Sequence, residues 1–210
     1  SPNRSVMTPP PAVLVVLPDY PLPATTGLHL RMVAVLQLLR RIGCAVHVLW
    51  FGTEDRLPGP ERPGLEWAAS VECGGARLEQ HHMSASHKLK AKASFAVHGS
   101  LGRAADVYPF SMRYDAIDAA SVVSARAERV DATWVVLPSQ GMHWHRGLPD
   151  GCRTIVDAAD VLSDVTRDLL DAASGPRRFS LWANHVASRT QESTVLPAVD
   201  EVWTTTPAES

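Results

Sequence analysis

The chain has 210 residues, of which 45% are hydrophobic and 20% are charged, and its formal net charge at pH 7 is −2. This length and composition fit one full-sized globular core. No basic excess is available to attract nucleic acid or an anionic lipid surface, so no nucleic-acid partner is expected. The longest apolar run, residues 12–17, is far shorter than the roughly 20 residues of a membrane-spanning helix, and membrane association has no positive signal.

Cysteine usage points to a reducing compartment. Cys44, Cys73 and Cys152 are far apart and form no CxxC pair, which argues against a disulfide framework. Each is expected to behave as a small buried apolar side chain. Residues 1–11 are polar, contain four prolines and lack the apolar segment of a signal peptide, so we interpret them as a disordered lead-in. We expect residues 12–210 to form a single cytoplasmic domain.

The first strong pattern along the chain is a βαβ unit. Residues 12–17 form a β-branched apolar run, typical of a strand covered on both faces. Apolar residues at three- and four-residue spacing then predict a helix over 28–42, which Gly43 can end. Residues 45–51 repeat the buried-strand pattern. The two strands are therefore expected to be parallel and joined by a right-handed crossover.

The alternation of strands and helices continues to the end of the chain. It predicts an edge strand at 65–72, a helix at 113–129, strands at 132–137 and 154–157, helices at 160–173 and 176–196, and a strand at 201–206. This order predicts an α/β fold, a Rossmann-like doubly wound parallel sheet with helices on both faces. Core positions are expected for Trp50, Trp134, Trp182 and Trp203, and a weak surface pair for Arg189 and Glu192. Ligands of such sheets bind outside the carboxyl ends of the strands.

The loop after the first strand, residues 18–26, carries no nicotinamide-cofactor fingerprint and no P-loop. Only one glycine, Gly27, follows this loop where the cofactor motif needs several, and no glycine–lysine–Ser/Thr sequence occurs. A helix N-terminus formed by Thr26 and Gly27 can still receive a diphosphate, and Arg31 adds a positive charge one turn later. Alternatively, Thr25 or Thr26 only caps the helix and Arg31 is a solvated side chain.

Two later loops carry polar residues that also fall at predicted strand ends. His143 and His145 face one way on an extended segment, but no spacing marks further metal ligands, so we predict no metal and leave a substrate-facing or plain surface loop. Asp157 and Asp160 bracket a strand tip, where carboxylates accept hydrogen bonds from substrate hydroxyls or act as a base. Alternatively, Asp160 caps a helix and Asp157 satisfies its loop.

Four segments are similar, in order and spacing, to one enzyme family. Residues 21–31 form a Pro-rich loop, a small-residue turn and an arginine, and residues 43–50 match a G-x-x-V-x-V return strand. Residues 154–160 resemble a strand-and-aspartate segment that is often D-x-H-D. Residues 189–206 contain a helix glutamate, an aspartate and a strand ending in hydroxyl residues. Together they resemble the N-terminal domain of retaining GT-B glycosyltransferases (family 4-like), which use nucleotide-sugar donors.

The resemblance implies the acceptor-side half of an enzyme that transfers a hexose-type sugar, with the nucleotide sugar as co-substrate and no other cofactor. The partners it implies are a C-terminal donor-binding domain and a sugar or small-molecule acceptor, and the chain by itself is expected to turn over little. No catalytic residue is assigned, because Ala159 stands where many relatives carry histidine. The implied substrate-binding residues are Thr26, Gly27, His29, Arg31, His143, His145, Asp157 and Asp160.

Two other hypotheses remain open on the sequence. One is a stand-alone, non-catalytic α/β module that binds a small ligand or a protein. The other, a flavodoxin-like enzyme, is less favoured because no cofactor loop is recognisable.

Overall fold

A computed structural model describes residues 9–52, 64–78, 97, 113–114, 119–136, 148–158 and 162–204. The lead-in predicted over 1–11 falls largely outside these ranges. The strands are β1 (Ala12–Leu17), β2 (Ala45–Gly52), β3 (Ser70–Leu78), β4 (Arg113–Tyr114), β5 (Ala132–Val136), β6 (Arg153–Ala158) and β7 (Glu201–Thr204). The helices are α1 (Gly27–Arg41), α2 (Ala119–Ala127), α3 (Leu162–Asp171) and α4 (Pro176–Val195), the last followed by a 3₁₀ turn at Leu196–Ala198.

The strands form one sheet in the order β4-β3-β2-β1-β5-β6-β7. Six of them are parallel, and the two-residue β4 joins the edge antiparallel to β3. β1 and β2 pair in parallel from Ala12 opposite Ala45, as the first βαβ pattern predicts. The Rossmann-like α/β fold expected from the sequence is confirmed.

Side chains of the central strand alternate between two apolar layers. Val15 and Leu17 point into the layer that contains Met32 and Leu36 of α1. Val16 points the other way, into a layer that contains residues of α2. Helices therefore cover both faces of β1, which explains why its sequence is continuously apolar rather than alternating. Burying each such aliphatic side chain contributes about 1.5–3 kcal/mol.

The ends of α1 follow the predicted capping pattern. Thr26 has an extended backbone (φ −128°, ψ 163°), and its side-chain oxygen accepts a hydrogen bond from the N–H of His29. At the other end, Gly43 takes a positive φ of 83°, a conformation that glycine adopts without a Cβ clash. Arg40 and Arg41 in the last turn complement the negative end of the helix dipole.

Several predicted boundaries are wrong. The third strand begins at Ser70 rather than Leu65, because residues 65–69 form turns before the chain joins β2. Within the helix predicted at 113–129, the first two residues instead form β4, and α2 starts at Ala119. Alanine-rich composition favours a helix locally but does not tell where sheet pairing takes over.

For two of the four tryptophans predicted as core residues, the predicted burial is wrong. Trp50 and Trp134 are buried, but Trp182 is 41% exposed and Trp203 is 40% exposed. β7 lies at the edge of the sheet and has one neighbour, β6, so Trp203 stays partly exposed, and its ring meets that of Trp134 edge-on with 4.9 Å between the centroids. Trp182 lies on α4, which packs against α3 in a helical hairpin, and its ring contacts the exposed Phe179.

The cysteines differ in their surroundings. Cys44 and Cys152 are partly buried, whereas Cys73 is exposed, which contradicts its expected burial. Burial raises the pKa of the Cys44 thiol. None of the helices in the described ranges combines the length and apolarity needed to cross a membrane.

Candidate functional site

The strand order identifies the end of the sheet where a ligand would bind. The chain runs outward from β1 through β2 to β3 and then returns to β5 on the other side of β1. Parallel sheets of this kind open a crevice at the reversal, outside the carboxyl ends of the two strands. The loop that follows β1 and the start of α1 border this crevice. The loop that follows β5, with His143 and His145, lies outside the described residues.

The N-terminus of α1 is open toward that crevice. The Oγ1 atom of Thr26 lies 3.2 Å from the N–H of His29, which it caps. The N–H groups of Gly27 and Leu28 belong to the first turn and have no partner within the helix. A Cβ added at Gly27 would meet no atom of the described residues within 4 Å. An anion can therefore approach these N–H groups at the positive end of the helix dipole.

His29 is buried and held between two polar side chains. Its Nδ1 lies 3.4 Å from the backbone N–H of Thr25, which can only donate, and 3.2 Å from the Thr25 hydroxyl. Nδ1 is therefore an acceptor, and the neutral ring carries its proton on Nε2. That nitrogen faces Asp19, with 3.8 Å between Nε2 and Oδ2. Asp19, His29 and Thr25 thus form a polar chain that ends at Thr25, an exposed residue.

Arg31 and Asp157 form an ion pair between α1 and β6. The Nε of Arg31 lies 2.6 Å from Oδ1 of Asp157, and a terminal guanidinium nitrogen contacts the same oxygen. The Asp157 side chain is 1% exposed and that of Arg31 is 21% exposed. Asp157 lies opposite Val136 at the end of β5 and opposite Trp203 of β7. A buried carboxylate is thereby neutralised beside the crevice, while the arginine still reaches solvent.

The eight residues implied by the resemblance fall into two groups. Five of them, Thr26, Gly27, His29, Arg31 and Asp157, lie at the carboxyl ends of β1 and β6 or on the first turns of α1. Asp160, like His143 and His145, lies outside the described residues, so its predicted capping of α3 does too. In the part of the chain that the structure describes, no three His, Cys, Asp or Glu side chains are grouped as a metal site.

Sequence reasoning missed Asp19 and misread Glu192. Asp19 lies in the proline-rich loop after β1, and the start of α1 brings His29 beside it. Glu192 is buried, and its Oε1 accepts a hydrogen bond from the N–H of Ser163 at 3.1 Å, so the predicted surface pair with Arg189 is wrong. The glutamate of α4 instead satisfies a free N–H at the start of α3. The sequence signal for this contact was the residue type of Glu192, because a carboxylate is stabilised at a helix N-terminus.

The described site can neutralise an anion and bind a hydroxyl. The α1 N-terminus and Arg31 offer N–H donors, and Thr25 offers a hydroxyl polarised by His29. Arg31 has five N–H donors, of which two point to Asp157, and within the described residues the others are available to bind a phosphate or sugar oxygen. No protein-family model, curated protein or solved structure matches this chain.

Proposed function

We propose that this chain is the acceptor-side domain of a nucleotide-sugar-dependent glycosyltransferase of the GT-B type, acting in the cytoplasm on a hexose-type donor. One observation carries the proposal. The α1 N-terminus, with Gly27 leaving it open, lies at the strand reversal on the same helix as Arg31, which is paired with the buried Asp157. This combination suits a diphosphate that must be held next to a hydroxyl-bearing substrate.

The proposed chemistry needs charge neutralisation more than a new bond to the protein. When a sugar leaves its nucleotide, negative charge develops on the departing diphosphate. Backbone N–H groups fixed at the start of α1 would stabilise this charge without reorganising. Asp157 holds the Arg31 guanidinium in place, so its free N–H groups are already oriented. A donor-binding companion domain would close the crevice from the other side.

The acceptor would bind through the polar chain at the end of β1. Thr25 is exposed, and its hydroxyl lies 3.2 Å from Nδ1 of His29. If the Thr25 proton is directed to Nδ1, the Thr25 oxygen is left to accept a hydrogen bond from an acceptor hydroxyl. Asp19 faces the opposite ring nitrogen and favours this tautomer. No observation favours a non-catalytic binding module over this enzyme domain.

The test uses the complete protein that contains this chain, incubated with uridine, guanosine and adenosine diphosphate hexoses. We expect one donor to be consumed, measured as released nucleoside diphosphate. Gly27→Leu should lower kcat/KM for that donor at least tenfold, because the new side chain occupies the open space in front of the N–H groups. Thermal unfolding should be unchanged or slightly improved, since glycine is a poor helix residue.

Ala34→Leu is the matched control, because Ala34 is an exposed residue of the same helix away from its N-terminus. It should leave kcat/KM unchanged. If no nucleotide sugar is consumed, the proposed function is wrong. If one is consumed and Gly27→Leu is as active as the control, the α1 N-terminus is not the phosphate site.

A further inference from the structure

A second concave region lies at the opposite end of the sheet. A cavity of about 470 Å³ opens between the amino-terminal halves of β1, β2 and β3 and the end of α2. This volume falls within the range of roughly 300–1,000 Å³ that is usual for small-molecule sites. Its base is apolar and includes Leu14, Leu49 and Val130. The proposed transferase crevice lies at the carboxyl ends of the strands and does not involve these residues.

Polar groups on one wall of the cavity are largely paired with one another. Nδ1 of His47 lies 3.0 Å from Oγ of Ser70, the residue beside it in the sheet. The Nε of Arg126 lies 2.8 Å from Oε2 of Glu72, so these two charges cancel. Both members of the ion pair are about two-fifths exposed, which leaves them hydrated and able to adjust.

Arg129 gives the cavity its net charge. It lies on the cavity wall after α2, and its guanidinium has no carboxylate partner within the described ranges. With Arg126 and Glu72 balanced, the positive charge of Arg129 remains beside an apolar base. A planar guanidinium matches a carboxylate with two parallel hydrogen bonds. A doubly charged phosphate would also meet the Glu72 carboxylate.

We propose that this cavity binds a small organic monoanion, a carboxylate on an apolar body, with Arg129 binding the carboxylate and Leu14 and Leu49 contacting the apolar part. Ser70 and His47 supply a hydroxyl and a ring nitrogen for a further polar group of the ligand. The site is separate from the crevice at the other end of the sheet and does not depend on the transferase proposal.

The test compares three probes that share one ring. The 210-residue chain, labelled with ¹⁵N, is titrated with benzoate, with uncharged benzamide and with phenyl phosphate, and backbone amide shifts are followed by NMR. Benzoate should shift the amides of Ser70, Glu72 and Arg129 and leave those of Gly27 and Leu28 unchanged. Benzamide should bind at least tenfold more weakly, and phenyl phosphate no more tightly than benzoate.

Two variants check which charge is responsible. Arg129→Gln should weaken benzoate binding about tenfold, because it removes the unpaired charge while an exposed position tolerates the change. The control is Arg41→Gln, which changes another exposed arginine at the end of α1 and should leave the affinity unchanged. The proposal is overturned if benzoate does not bind, if benzamide binds equally well, if phenyl phosphate binds more tightly, or if Arg129→Gln has no effect.

Discussion

Two arginine–carboxylate pairs join a helix to a strand at opposite ends of the sheet, in contrasting environments. At the carboxyl ends, the side chains of Arg31 and Asp157 are 21% and 1% exposed. At the amino ends, those of Arg126 and Glu72 are 43% and 40% exposed. The first pair holds a charge away from water, whereas the second is hydrated on both sides. The distance between the charged atoms alone therefore does not tell how much an ion pair contributes to stability.

The difference in exposure between the two ion pairs has separate consequences for stability and for ligand binding. A buried carboxylate without its partner is costly, so Arg31 is required wherever Asp157 is kept. An exposed pair contributes little and can open to receive a ligand. Rigid charges suit the proposed transferase crevice, where hydrogen-bond donors must be oriented before the substrate arrives. Adjustable charges suit the cavity at the other end.

The largest expected effect comes from breaking the buried pair. Arg31→Met leaves Asp157 buried without a cation, and we expect a loss of about 3–5 kcal/mol in the free energy of unfolding. Urea unfolding followed by circular dichroism measures it. The double variant Arg31→Met/Asp157→Leu should recover most of this loss, because both charges are then replaced by apolar groups. A single variant as stable as the unmodified chain would contradict the buried, paired arrangement.

Removing a neutral hydrogen bond at the same end of the sheet should have an intermediate effect on the free energy of unfolding. Thr26→Ala removes the acceptor for the His29 N–H, and we expect a loss of about 1 kcal/mol in the same urea experiment. Thr26→Ser keeps the capping oxygen and should stay within a few tenths of a kcal/mol. Equal losses in the two variants would mean that the threonine methyl group, not the cap, is responsible.

The exposed pair should be nearly dispensable. Arg126→Gln should lower the free energy of unfolding by roughly 0.2–1 kcal/mol at low ionic strength. The loss is small because water already reaches the Glu72 carboxylate and solvates it once the arginine is gone. In 1 M salt the difference should disappear, since the Debye length is then about 3 Å. Urea midpoints at both ionic strengths give the comparison. A loss that persists in high salt would show that packing of the arginine stem, not its charge, stabilises the contact.

The sequence predicted the elements whose cause is local. β1 and β2 are continuous β-branched runs, and such runs occur in strands covered on both faces, so their parallel pairing was predictable. The Thr26 cap and the Gly43 terminus follow from which backbone angles and hydrogen bonds those residues favour. Five of the eight proposed substrate-binding residues lie at the expected end of the sheet for the same reason.

What the sequence did not predict arises from contacts between distant segments. Arg31 and Asp157 are 126 positions apart, and no local pattern relates a helix surface to a strand that far away. Glu192 looked like a surface residue because its partner is a backbone N–H on another helix. The exposure of Trp203 depends on β7 being the edge strand, which alternation within one strand does not reveal.

A third pair, Arg153–Glu201, tests whether a charge or a neutral donor controls an exposed carboxylate. The Trp203 indole N–H, 2.6 Å from Oε1 of Glu201, is the main cause that lowers the pKa of this carboxyl below its ordinary 4.5. Partial burial opposes the shift, and Arg153, 2.6 Å from Oε2, lowers the pKa further through both its hydrogen bond and its charge. A lowered pKa stabilises the folded chain above about pH 4.5, and this stabilisation is lost as pH falls through the folded value.

Trp203→Phe should therefore raise the pKa of Glu201 toward 4.5, because it removes the largest single cause of the lowering, and Arg153→Gln should raise it as well. Phenylalanine retains an aromatic ring beside Trp134 while removing the N–H donor, so the sheet edge should keep its packing. The measurement is the pH dependence of the Glu201 carboxyl ¹³C shift, with far-ultraviolet circular dichroism as the check that each variant is folded. A larger shift in Arg153→Gln would mean that the charge, rather than the indole hydrogen bond, sets this pKa. The comparison of the two ends of the sheet would then extend to its edge, where even a hydrated arginine would control its carboxylate.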